Sequence, residues 1–135
     1  MNEKQLVVLC GLIGSGKTTF AIQHYPNFTD FDAMPEGSQK IHQIQWTERL
    51  LSKYNEVCHI TCFPTPVEWE FFKTRKCIFL WIDTSLDQAK TNILIRGRER
   101  DMNNLFSVLE ANKRILHHRK MSTIPFRTIN IFPRG

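Results

Sequence analysis

Eight consecutive residues, Gly11-Leu12-Ile13-Gly14-Ser15-Gly16-Lys17-Thr18, follow the spacing G-x-x-x-x-G-K-[ST]. The chemistry this spacing suits is phosphate binding. Gly11, Gly14 and Gly16 permit a curled backbone with no Cβ in the way, so consecutive N–H groups converge on an anion where a helix begins. Lys17 is then set to reach the outer phosphates of a nucleotide, and the Thr18 hydroxyl to complete the shell of a Mg²⁺ that also touches phosphate oxygens. The candidate nucleotide-binding set is Gly11, Gly14, Ser15, Gly16, Lys17, Thr18 and Thr19, with Thr19 running on into the helix. The ligand expected is ATP or GTP with Mg²⁺. The competing reading is a glycine turn with no ligand, and the flanks argue against it. Leu6 to Cys10 is an apolar, β-branched run, and Thr18 to His24 reads as a helix halted by Pro26.

Two further groups of residues carry charge in patterns that suit phosphate chemistry. Asp30 and Asp32 are two residues apart, so on a strand both carboxylates would point the same way at its carboxyl end, the edge where ligands bind in open α/β sheets. Two solvated loop carboxylates, or a helix cap, is the alternative. Arg96, Arg98 and Arg100 crowd around Gly97 between two predicted helices, where a short segment can close over a polyphosphate with bidentate guanidinium groups. A solvated helix end is the plainer alternative, and Glu99 and Asp101 stand ready to pair with these arginines. The third predicted strand ends Ile60-Thr61-Cys62-Phe63 without the carboxylate that often organises Mg²⁺. Asp83 ends the next apolar run, and capping its own loop is the favoured role for it over replacing the missing group.

The elements that must hold these residues follow from periodicity and caps. After the first strand and helix, residues 27–32 read as a short strand and Pro35-Glu36-Gly37 as a turn. Ser38 is the expected cap of a helix to about Tyr54, with Ile41, Ile44, Leu51 and Tyr54 inward. Residues 57–62 form the third strand, and Thr65-Pro66-Val67-Glu68 is a capping box with proline at the first position. Cys77 to Ile82 reads as a strand covered on both faces, and Ser85 to Gln88 as a second capping box. A long amphipathic helix carries Leu105, Val108, Leu109 and Leu116, and residues 126–132 form the last strand. Five strands interleaved with helices predict a parallel α/β sheet with helices on both faces.

Size and charge bound the rest. The 135 residues suit one domain with a real core and exclude a large substrate domain. Net charge is +5, but residues 1–72 hold 5 Lys/Arg against 8 Asp/Glu while residues 73–135 hold 13 against 5. That basic half suits anionic ligands, phosphates first and nucleic acid second. The four cysteines lie in apolar segments and pack as small hydrophobes, which together with the lack of a membrane-spanning run points to a reducing, cytoplasmic setting. Cys58, His59 and Cys62 lack zinc-site spacing, and His59 is expected to pack in the core. Trp46, Trp69 and Trp81 read as core or helix-face residues rather than base-stacking platforms.

On the loop, the Asp-x-Asp pair and the arginine cluster, taken in this order, the chain resembles the small P-loop kinases. That group contains shikimate kinase, gluconate kinase, adenylate kinase and the kinase domain of polynucleotide kinases. The resemblance covers nearly the whole length, with the loop its one highly specific part. It implies a three-layer α/β/α fold with a five-stranded parallel sheet in the order 2-3-1-4-5, and a single domain over residues 1–135 with an arginine lid near 96–104. It also implies Asp32 on the acceptor hydroxyl, Asp30 in the magnesium shell through water, and Arg96 or Arg100 closing over the transferred phosphoryl group. The function expected is an ATP-dependent phosphotransferase acting on a nucleoside, nucleotide or polynucleotide 5′ end, working as a monomer or small homo-oligomer away from membranes. The rival expectation is a P-loop ATPase or regulatory module acting with nucleic acid or a protein partner.

Overall fold

The first strand organises the chain because it is apolar on both sides. A computed structural model describes residues 3–131. Within it β1, Gln5–Gly11, sends Leu6, Val8 and Cys10 into one core and Val7 and Leu9 into another, all at most 2% exposed. Burying such side chains stabilises the fold by about 2 kcal/mol each. A strand buried on both faces has to sit in the middle of its sheet.

β1 pairs in parallel with β3, Glu56–Ile60, on one side and with β4, Cys77–Ile82, on the other. The outer strands are β2, Phe28–Asp30, and β5, Arg127–Ile129, so the sheet order is 2-3-1-4-5, as expected. On one face α1, Lys17–His24, contributes Ala21 and Phe20 to the core around Val7 and Leu9. On the other face lie Leu51 of α2, Lys40–Lys53, Phe72 of α3, Pro66–Phe72, and Ala89 of α4, Leu86–Arg96. The short α5, Glu99–Asn103, leads into α6, Leu105–Met121, whose Ile115 and Leu116 cover the same face.

Caps explain where the elements start. Thr65 accepts the Glu68 N–H while Glu68 accepts the Thr65 N–H at 3.0 Å, with Pro66 at the first helical position. Ser85 accepts the Gln88 N–H at 3.0 Å, but the Gln88 amide turns along the helix to Asn92 and leaves that box half closed.

Four expectations are corrected. β2 stops at Asp30, because the Asp30 carboxylate accepts the Asp32 N–H at 3.0 Å and folds residues Phe31–Ala33 into a 3₁₀ turn. Asp32 therefore leaves the strand, and the two carboxylates are joined through a turn rather than aligned on one strand face. α2 begins after Gln39, not Ser38, with the Gln39 N–H donating to His42 Nδ1 at 2.9 Å. Its inner face is Gln43, Ile44, Thr47 and Leu51, while Ile41 and Tyr54 are exposed. The last strand is shorter than expected, and Phe132 lies outside the described residues.

Candidate functional site

Between β1 and α1 the glycine-rich segment curls as its sequence requires, and two glycines explain how. Gly14 has φ +86°, and a Cβ there would stand 2.6 Å from the Ala89 carbonyl oxygen of α4. Gly16 has φ +92° and caps α1 with no side chain, so the first N–H groups of an eight-residue helix face outward with no acidic residue in the first turn. Asparagines from two other helices fix the curl. Asn112 accepts the Ile13 N–H at 2.7 Å and donates to the Ile13 carbonyl at 3.0 Å, and Asn92 donates to the Gly14 carbonyl at 2.8 Å. Lys17 Nζ donates to the carbonyls of Gly11 and Leu12 at 3.0 and 2.8 Å, which parks the ammonium over the loop.

A cavity of about 410 Å³ opens at the carboxyl edge of the sheet. Gly14, Gly16, Lys17, Thr18 and Thr19 line one wall; Asp30, Asp32, Lys40 and Thr61 line the other; Arg96 and Arg98 stand over it. Gly11 and Ser15 are structural members behind the wall: Ser15 is fully buried, and a Cβ on Gly11 would meet its Oγ at 2.6 Å. Arg100 reaches the cavity's edge through Asp32.

Across this cavity Thr18 Oγ1 donates to Asp30 Oδ2 at 2.6 Å. The pair joins the start of α1 to the end of β2, and Asp30 is 7% exposed. A hydroxyl and a carboxylate at this spacing are the hard oxygen donors that Mg²⁺ takes while keeping most of its shell as water and phosphate oxygens. Among the described residues no group of three or more His, Cys, Asp or Glu gathers in the manner of an all-protein metal cage. The residues present therefore fit Mg²⁺ held jointly with phosphate.

Asp32 is half-exposed and faces the lid. Arg100 donates to it at 3.1 Å and Arg98 lies 3.9 Å away. The Arg100 guanidinium is pushed above its ordinary pKa by the hydrogen bond to Asp32, then by the charges of Asp32 and Asp101. Gly97, at φ +61°, ends α4 and turns the chain so that all three arginines emerge together. Asp101, almost wholly buried, holds Arg96 at 3.0 Å and Arg100 at 3.3 Å.

The end of β3 carries no carboxylate, and a buried one arrives from α3 instead. Glu68 Oε1 accepts from Thr61 Oγ1, Thr65 Oγ1 and the Thr65 N–H, each at 3.0 Å. Its Oε2 lies 2.6 Å from His59 Nε2 and 3.5 Å from Lys40 Nζ. Burial pushes the Glu68 pKa up, but the His59 hydrogen bond, the Lys40 charge and the Thr65 N–H outweigh it and bring the group down to about 2. An ionised Glu68 makes His59 Nε2 the donor, so Nδ1 accepts from Thr47 Oγ1 at 2.7 Å. Burial holds His59 below its usual pKa despite the carboxylate, so the ring is neutral. Lys40 also donates to Gln43 at 3.1 Å and Thr61 at 3.2 Å, which fixes its ammonium on the cavity wall. Fully buried, with both oxygens engaged inside the fold and none of it lining the cavity, Glu68 braces the wall and is not presented to a metal.

Sequence reasoning missed Lys40, Glu68 as more than a cap, Asn92 and Asn112. One signal was available for Asn112, which sits on the apolar stripe of Leu105, Val108, Leu109 and Leu116. A polar residue on such a stripe needs a buried partner. Asp83 is not among the residues lining the cavity; its N–H donates to the Ile129 carbonyl at 2.8 Å, and Ser85 caps the following helix. His59 is buried as expected. No helix among the described residues is long and apolar enough to cross a membrane.

No family model matches the chain, and no curated protein matches it. Solved structures do. A gluconokinase from Sinorhizobium meliloti 1021 is similar with a TM-score of 0.57 at 13% identity, over 98% of this chain and 85% of that one. Deoxyadenosine kinase from M. mycoides, with products bound, gives 0.52 at 12% identity over 92% and 88%, and 0.51 with bound dATP. The likeness is one of fold, a five-stranded parallel sheet in the order 2-3-1-4-5 with helices.

Proposed function

We propose that the chain is a Mg²⁺-dependent phosphotransferase that moves the γ-phosphate of ATP to a hydroxyl or phosphate acceptor, acting as one domain whose lid spans residues 96–104. The observation that carries this reading is the Thr18–Asp30 bond of 2.6 Å. It brings a phosphate-side hydroxyl and an acceptor-side carboxylate together in one cavity with Lys17, Asp32 and Arg96.

In this reading the backbone N–H groups of Gly14 to Thr19 hold the phosphates and Lys17 exchanges two carbonyls for the β and γ oxygens. Thr18, and Asp30 through water, would hold Mg²⁺, whose charge would offset that of those oxygens. Asp32 accepts the proton of the acceptor hydroxyl as its oxygen bonds to phosphorus, and the electrons of the breaking bond leave on the ADP oxygen. Arg96 and Arg100 face the charge spread over the phosphoryl group in flight. A nucleoside, nucleotide or polynucleotide 5′ end is the acceptor class favoured by the basic second half of the chain.

Titration with Mg²⁺·ATP tests the donor side. Lys17→Ala is expected to weaken binding at least tenfold with the fold intact, and unchanged affinity would refute the assignment. Release of inorganic phosphate with no labelled acceptor would favour the rival reading, an ATPase working with nucleic acid or a partner.

A further inference from the structure

Arg100 is held by two carboxylates of opposite character. Asp101 is 3% exposed at its side chain and binds both Arg96 and Arg100, whereas Asp32 is 48% exposed and meets Arg100 on the cavity side. A carboxylate buried against two guanidinium groups cannot give them up without leaving an uncompensated charge inside the protein. An ion pair between half-exposed groups is weak and screened, and is readily exchanged. A γ-phosphate carries more charge than a carboxylate and takes a guanidinium bidentately. Asp101 is therefore the fixed anchor and Asp32 the exchangeable partner.

From this geometry, and resting on the phosphotransferase reading above, we infer that the γ-phosphate of ATP and the acceptor-side carboxylate Asp32 compete for Arg100, with Asp101 as the positioning residue that keeps Arg96 and Arg100 paired for the phosphate. Without nucleotide, Arg100 occupies the carboxylate that the acceptor hydroxyl needs. When ATP binds, Arg100 turns to the γ-phosphate while still held by Asp101, and Asp32 Oδ1 is released, leaving only the looser approach of Arg98 at 3.9 Å to Oδ2. The acceptor site opens after the donor site fills, so nucleotide binds first.

The test is a titration of ATP and of ADP, each with Mg²⁺, into the wild type, Asp32→Asn, Asp101→Asn, Asp101→Glu, Arg100→Gln and Asp32→Asn/Arg100→Gln. Asp32→Asn is expected to tighten ATP threefold to tenfold and leave ADP unchanged, because ADP lacks the group that competes. Asp101→Asn is expected to weaken ATP about tenfold and again leave ADP unchanged, a selectivity that general unfolding would not produce, and Asp101→Glu should restore part of it. In the Arg100→Gln background the Asp32→Asn gain should vanish. Asp32 is a surface group, so its variants keep the test open even if Asp101→Asn does not fold. Unchanged or weakened ATP binding in Asp32→Asn, or a gain that survives Arg100→Gln, would overturn the inference while leaving nucleotide binding in place. A wild type that binds neither nucleotide would instead overturn the phosphotransferase reading itself.

Discussion

Lys17 and Asn112 act on the same loop and were unequally visible in the sequence. Lys17 announces itself, because a lysine at the end of a glycine-rich spacing has one common use. Asn112 is 99 residues from Ile13 in the chain, and no local pattern states that its amide will clamp that residue's N–H and C=O. Its position on an apolar stripe shows that it needs a partner, without naming one. Replacing it by alanine leaves two partly buried backbone groups without their bonds, a cost of about 1 to 2 kcal/mol. Asn112→Ala is expected to lower the denaturant midpoint accordingly and to weaken ATP more than a surface substitution such as Lys113→Ala; equal effects of the two would show that the clamp is irrelevant to the loop. The same limit hid Lys40. Its ammonium is placed by Glu68, Gln43 and Thr61, three residues contributed by α3, its own helix and the end of β3.

At the scale of elements, strands and capped helices were legible because periodicity and caps are local. β1, α3 and β4 appear where an apolar, β-branched run, a Thr-x-x-Glu box and a continuous apolar run place them. β2 was misread, since a carboxylate that folds back on the N–H two residues on competes with the strand ladder, and spacing alone does not show which wins. The inner face of α2 was misread for a related reason: Gln43 and Thr47 turn inward because Thr29, Ile60 and His59 satisfy them. The lid depends on one backbone device. Gly97 adopts φ +61°, where an L side chain costs about 1 to 2 kcal/mol. Gly97→Ala is expected to reduce stability by about 1 kcal/mol in denaturant melts. Because nothing but backbone lies within 4 Å of its added Cβ, the loss would come from conformation rather than from a clash. A neutral or stabilising change would show that the turn at the lid does not need the left-handed residue.

The whole molecule joins its site to its stability through the Glu68–His59 pair under the cavity wall. Both groups have folded pKa values below their ordinary ones, so the unfolded chain binds more protons than the folded one as pH falls. The pair's contribution to stability is expected to be constant above about pH 6.5, to decline below it as His59 of the unfolded chain protonates, and to drop further from about 4.5 toward 2 as Glu68 does. Equilibrium unfolding between pH 8 and 2 checks this. Glu68→Ala, which leaves the buried donors of His59, Thr61 and Thr65 without their acceptor, should cost about 3 kcal/mol at pH 7 and remove the decline between 4.5 and 2; a decline that persists there would assign that acid sensitivity to other groups. Above these supports stands the claim that the cavity transfers phosphate. The most direct measurement is incubation of the chain with γ-labelled ATP, Mg²⁺ and a panel of nucleosides, nucleotides, 5′-hydroxyl oligonucleotides and small hydroxyl compounds. Label is expected on at least one acceptor, at a rate lowered at least a hundredfold by Asp32→Asn. Label found in inorganic phosphate alone, or transfer undiminished in Asp32→Asn, would contradict it.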